Sequence, residues 1–147
     1  MKVLLAYDGF NYSRFALDEA VRLAREEGAE ITVLSVVPPE ARATKSGGHA
    51  GLPPHADEDV IRAYAAMRDR GVYAETTITH GKPADEIVAR AREGGFDLLL
   101  LGTRELGPVE RHVLGSVSHK VVRHAPCPVV VVGEHGTSRF EPEVRAA

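Results

Sequence analysis

The sequence contains no tryptophan and a single cysteine, Cys127. One thiol cannot form an intramolecular disulfide, and it cannot supply a thiolate zinc cluster. Cys127 stands between two prolines ahead of a run of valines. We therefore expect it to be a small buried residue at the entrance of a strand.

Long apolar runs and a cationic surface are also missing. No segment approaches the ~18 consecutive apolar residues of a transmembrane helix, and the apolar start is too short for a signal peptide. The 18 basic residues are spread along the chain and the net charge is -3, so nothing indicates binding to nucleic acid or to an anionic membrane. With 147 residues, 44% of them hydrophobic, we expect one cytoplasmic domain with a full core.

Apolar runs and helical periodicity alternate along the chain and predict five strands and four helices. The predicted strands are 3–7, 31–37, 72–79, 98–101 and 129–132, and the predicted helices are 11–27, 57–70, 83–93 and 116–124. Residues from 40 to 56 lack periodicity and predict a long connection. The domain is expected to span 1–133, and the residues 134–147 lack an apolar face and predict a frayed tail.

This alternation predicts an α/β fold, a doubly wound parallel sheet with helices on both faces. The run of leucines at 98–101 is typical of a strand that is buried on both faces. Ligands of such sheets bind beyond the carboxyl ends of the strands, where the strand order reverses. The residues that follow each strand are therefore the candidates for a binding site.

Two of these positions have residues that could bind a ligand. Asp8 follows the first strand and could accept hydrogen bonds from ribose hydroxyls or hold a hydrated cation; alternatively it forms a turn or caps a helix. Gly102 follows the leucine strand, and the loop after it returns to Gly115 and Ser116 at the start of a helix. Glycines and helix amides of this kind make a hollow of phosphate size.

The common phosphate motifs are absent. The spacing from Gly102 to Gly107 is not followed by Lys-Ser or Lys-Thr, and no G-x-G-x-x-G follows the first strand, which argues against a P-loop and a dinucleotide fold. A phospho-receiver domain is disfavoured because Asp8 is alone and His80 follows the third strand. Ser116 has no nucleophile-elbow context, so we do not expect an enzyme beyond slow ATP hydrolysis.

Several segments together resemble the universal stress proteins of the small, single-domain bacterial type. The matching segments are 3–9, 34–37, 80–87, 97–104, 114–118 and 124–129, with Ser13 and Ala16 behind the first. The resemblance implies a fold similar to that of the adenine nucleotide α-hydrolases, with strand order 3-2-1-4-5. It also implies a nucleotide-binding module for stress response or signalling.

Members of that family that bind ATP carry the fingerprint G-x-x-G-x9-G-[ST]. Here Gly102, Gly115 and Ser116 match it, and Glu105 stands in the place of the second glycine. By the same resemblance, ATP, ADP or AMP, with Mg²⁺ or Mn²⁺, would meet a set of residues along the site. These are Ala6 near the nucleoside, Asp8 at the ribose or metal, the backbone of Val36 at adenine, and Arg104, Gly107 and Val117 beside the phosphates.

Glu105 leaves two hypotheses open. In the first, nucleotide binding is preserved: Gly107 could supply the missing backbone freedom, and Glu105 could point to solvent or join the coordination of Mg²⁺. Arg104 and Arg111 could also offset its charge. Alternatively, the protein is a dimeric interaction or regulatory member of the same family that has lost the nucleotide. A hydrolase related to this group is disfavoured, because the chain has neither a Ser-Gly-Gly loop nor a His-x-Gly-His pair.

Two further expectations concern metal and assembly. His112, His119 and His124 are not spaced to share one helical face, so we expect surface histidines and no protein metal site. The valine strand 129–132 would leave an apolar edge open at the end of the sheet. We expect it to pair with a second copy across a two-fold axis, as the resemblance also implies.

Overall fold

A computed structural model describes residues 1–8, 13–39, 56–103, 115–134 and 136–143. The described strands are β1 (Lys2–Ala6), β2 (Glu30–Val37), β3 (Glu75–His80), β4 (Leu98–Gly102), β5 (Val129–Gly133) and β6 (Gly136–Phe140). The described helices are α1 (Ser13–Glu27), α2 (Ala56–Asp69), α3 (Pro83–Glu93) and α4 (Ser116–His124). The predicted α/β fold is confirmed.

The strands form one sheet in the order β3-β2-β1-β4-β5-β6. The first five are parallel and follow the predicted order, whereas β6 is antiparallel to β5. The sheet is therefore mixed and has six strands, not the five parallel strands predicted. The predicted frayed tail is wrong for 136–140. This segment is ordered by pairing with β5 and not by an apolar face. Because Phe140 is its one apolar side chain, the sequence shows no periodicity that would predict a strand.

Two apolar clusters fill the two faces of the sheet. The first cluster lies under α1 and α2 and includes Val21 and Met67, and the second lies under α3 and α4 and includes Ile87 and Val121. Alternate leucines of β4 enter different clusters, so this strand is buried on both faces as predicted. Cys127 is buried in the second cluster, which confirms the sequence interpretation.

The helix ends follow the predicted signals. Pro83 begins α3, with Asp85 and Glu86 in its first turn, where carboxylates favour the positive end of the helix dipole. Gly28 follows α1 with a φ of 69°, a left-handed conformation that favours glycine. Among the helices of the described ranges, none is long and apolar enough to span a bilayer.

The amino edge of the sheet is held by contacts of Lys2. Its main-chain N–H donates to Oδ2 of Asp97 over 2.8 Å. Its side-chain Nζ donates to the carbonyl of Gly94 and lies 4.9 Å from the centre of the Phe96 ring. These contacts join the start of β1 to the α3–β4 connection.

Candidate functional site

The strand order reverses between β1 and β4. Ala6 lies opposite Leu101 of β4 on one side and Leu34 of β2 on the other. Because these strands are parallel, their carboxyl ends meet at one edge of the sheet. The structure therefore brings Ala6, Val36 and Gly102 to the same edge, where the sequence predicts a ligand.

Asp8 follows β1 at this edge and is bound to the start of α1. The hydroxyl of Ser13 donates a hydrogen bond to Oδ1 of Asp8, and the amide of Asp8 donates to Oγ of Ser13 over 3.4 Å. Ser13 is buried, whereas Asp8 is exposed. This contact is not the helix cap that the sequence offered as an alternative, because the carboxylate accepts from a side-chain hydroxyl, but it orients an exposed carboxylate.

The start of α4 has the features of an anion site. Gly115 precedes the helix with φ -62° and ψ 166°, and as a glycine it has no side chain that could cap the helix. Ser116 and Val117 in the first turn are exposed. Since α4 leads directly into β5, which is parallel to β4, the helix begins at the carboxyl edge of the sheet. Its uncapped amides and positive dipole end therefore lie beside the strand ends.

Gly115 contributes space rather than an unusual backbone conformation. Its φ is one that any residue adopts, and a Cβ placed on it would have no described atom within 4 Å. Nothing in the described part of the chain therefore requires a glycine at this position. What it offers is a main chain that a ligand can approach without meeting a side chain.

Thr103 extends the pairing of β4 with β5 by one residue next to the candidate site, a role that no sequence signal indicated. Gly102 lies opposite Val132, and the amide of Thr103 donates to the carbonyl of Val132 over 2.9 Å. Thr103 is buried. The amide of Thr103 therefore serves β4–β5 pairing and is not directed at a ligand.

Tyr7 is a second residue of this edge that the sequence did not reveal. It lies between Ala6 and Asp8 and is partly buried against the first cluster. Burial raises the pKa of Tyr7 above 10.0, and the charges of Asp59 and Asp8 raise it further. Asp59 belongs to α2, so only the tertiary fold brings it near Tyr7, and no local sequence signal could have indicated this.

Other predicted positions lie outside the described residues. They are Arg104, Glu105, Gly107, His112 and the connection at 40–55. His119 and His124 are both exposed on α4. Within the described part of the chain, no group of three or more His, Cys, Asp or Glu side chains is arranged to hold a metal ion.

Comparison with known proteins places this geometry in a family. The model of the Universal stress protein family matches residues 1–133. Universal stress protein YxiE of Bacillus subtilis is 37% identical over an alignment of 145 residues. The match covers 89% of this chain and 97% of the relative.

Solved structures agree on the fold. The universal stress protein of Archaeoglobus fulgidus in complex with dAMP has a TM-score of 0.71 at 23% identity, covering 90% of this chain and 97% of that one. A family member from Arabidopsis thaliana with AMP bound has a TM-score of 0.65 at 21% identity, covering 90% and 91%. The sequence match and the shared fold lead to one conclusion: the chain belongs to the universal stress protein family.

Proposed function

We propose that this protein binds an adenine nucleotide, ATP, ADP or AMP, as a non-enzymatic module of stress response or signalling. The observation that carries the proposal is the start of α4. There the N-terminus of α4 follows Gly115, which has no capping side chain and no described atom within 4 Å of the place where a Cβ would lie. This helix start lies at the carboxyl edge of the sheet, the same edge as Asp8. The two structural relatives described with AMP and dAMP support it.

The residues fit a nucleotide in distinct roles. Backbone amides at Ser116 and Val117 would face the phosphates, because an uncapped helix start favours anions. Asp8, held in direction by Ser13, would meet the ribose hydroxyls or a Mg²⁺ or Mn²⁺ ion that accompanies the phosphates. The end of β2 at Val36 would offer its backbone to the base. Gly102 would allow close approach, and Arg104 and Gly107 would complete the loop.

The same proposal includes the cellular location of the protein and its oligomeric state. We expect a cytoplasmic protein that works as a homodimer through Val129–Val132 of the apolar strand β5, an interface that β6 must leave because it covers this edge in the structure. We also expect no turnover faster than slow ATP hydrolysis. Phosphate release from ATP, measured with and without Mg²⁺, tests this expectation. Sustained hydrolysis at the rate of an ordinary enzyme would contradict it.

Two measurements test nucleotide binding directly. Protein purified without added nucleotide is denatured, and the supernatant is separated by chromatography to identify any released ATP, ADP or AMP. Calorimetry then measures the affinity for Mg-ATP, with Mg-GTP as the control for the base. We expect adenine nucleotide in the first experiment and tighter binding of Mg-ATP in the second. Absence of both release and binding would overturn the proposal.

A further inference from the structure

Strand β6 lies beyond the part of the chain that the family model matches. The match ends at residue 133, which is the last residue of β5, and β6 occupies Gly136–Phe140. All five residues of β5 lie opposite residues of β6 in antiparallel register, from Val129 opposite Phe140 to Gly133 opposite Gly136. The outer edge of the matched domain is thus covered by a segment that the family model does not include.

The two strands differ in how strongly they belong to the core. Every side chain of β5 is apolar or absent, and Val129, Val131 and Val132 are buried. In β6 only Phe140 packs against an apolar cluster, and the other four residues are glycine, threonine, serine and arginine. Apolar packing therefore retains β6 less than it retains β5.

The surroundings of β6 add little to hold it. A groove of about 440 Å³ lies between α4 and β6, with Val122 and Phe140 among the residues that line it. Arg139 forms an ion pair with Glu141, but both side chains are more than half exposed. Exposed pairs of this kind contribute little to stability. This ion pair therefore adds little to the strand pairing with β5 and to the packing of Phe140.

A second copy of β5 fits the same edge. The segment Val129–Gly133 carries no ionisable side chain, so two copies running antiparallel would bring valines opposite each other with no charge repulsion. Such pairing is self-complementary, as a two-fold axis requires. The backbone pairs lost from β6 would be replaced by backbone pairs with the partner strand.

We propose that β6 is a displaceable cap on the β5 edge and competes there with the β5 strand of a second copy of this chain. Only residues 134 and 135 connect β5 to β6, so the cap acts at a high effective concentration, on the order of millimolar for short linkers. Pairing between copies is then weakened in the intact chain and strengthened whenever β6 leaves the edge. This inference concerns the proposed dimer and is independent of nucleotide binding.

One pair of full-length variants releases the cap. In Ser138→Pro a proline replaces the residue opposite Val131 in the middle of β6, where it removes a backbone donor and disfavours the strand. Ser138→Ala is the matched control, because it removes the hydroxyl and keeps the backbone donor. Sedimentation velocity is expected to show a dimer at least about tenfold tighter for the proline variant than for the alanine variant.

A second full-length variant locks the cap. Val130 and Arg139 lie directly opposite each other, a spacing at which paired cysteines can form a cross-strand disulfide. The double variant Val130→Cys with Arg139→Cys is expected to dimerise at least about tenfold more weakly when oxidised than when reduced. The reduced form of the same protein is the control, and the buried Cys127 is kept in both.

Hydrogen exchange locates the interface. In the proline variant, amides of 129–133 should stay protected at concentrations where it dimerises and lose protection on dilution. The proposal is overturned if the proline variant is no more dimeric than Ser138→Ala, or if oxidation leaves the dimer of the locked variant unchanged. If the proline variant aggregates, the test rests on the double-cysteine variant, and the proposal stands or falls with the difference in dimerisation between its oxidised and reduced forms.

Discussion

The hydroxyl of Ser13 donates a hydrogen bond to Oδ1 of Asp8 and so joins the first residue of α1 to the residue that follows β1. Ser13 is only 2% exposed, whereas Asp8 faces solvent. One partner therefore belongs to the core and the other to the candidate site. Substitutions of the two should have separable effects on stability and on binding.

Ser13→Ala removes the donor and should lower the free energy of unfolding by about 1.5–3 kcal/mol, the usual range for a hydrogen bond to a charged group. Asp8→Asn keeps an acceptor for Ser13 and should change stability less, while weakening Mg-nucleotide binding because the negative charge is lost. Urea denaturation and calorimetry measure the two effects. Equal losses of stability in both variants would contradict this division.

Gly115→Ala should separate folding from binding at the start of α4. A Cβ meets no described atom and the φ of -62° suits alanine, so the stability loss should stay below about 1 kcal/mol, the range of N-cap substitutions. Nucleotide affinity should fall at least about tenfold, because the new side chain would point at the ligand. His119→Ala, on an exposed position of the same helix, is the control that should bind normally.

Glu105→Gly should tighten nucleotide binding. A residue forced to positive φ costs about 1 kcal/mol, and a carboxylate ~5 Å from a phosphate costs ~3 kcal/mol at an effective dielectric of 20. Removing both penalties would lower the Kd by up to ~1000-fold. Glu110→Gly removes an acid at one of the unspecified positions of the same fingerprint and should have a smaller effect. Unchanged affinity of the Glu105 variant would show that this residue does not limit binding.

Tyr7 should make stability depend on alkaline pH. Burial, with Asp59 and Asp8 adding to it, raises the pKa of Tyr7 above 10.0 in the folded protein. The folded state therefore retains the phenolic proton longer than the unfolded state, so the stabilisation is complete below pH 10 and is lost as pH rises through the folded pKa. Tyr7→Phe should show a shallower decline of unfolding free energy above about pH 10. An identical decline in both proteins would contradict the assignment.

The sequence predicted the parts of this fold that depend on side-chain pattern. The leucines of β4 and the helical face of α1 bury apolar groups with a clear period, so the order of elements and the sheet could be predicted from them. Strand β6 could not, because its pairing uses backbone groups that every residue has. Its polar composition is that of a tail.

The candidate site divides in the same way. Gly102, Gly115 and Ser116 could be found because glycine and a helix start have local sequence signals. The electrostatic interaction of Tyr7 with Asp59 could not be predicted. Tyr7 follows β1 and Asp59 lies in α2, so the two are distant in sequence and only the fold brings them together. The effect of Glu105 depends on the direction of one side chain, which the residue type does not specify.

The contacts of Lys2 with Asp97, Gly94 and the Phe96 ring lie at the pole of the molecule opposite the strand ends that carry Asp8 and Gly102. These contacts involve none of the residues proposed to meet a nucleotide. A substitution in the fingerprint, such as the glutamate at 105, therefore leaves them in place.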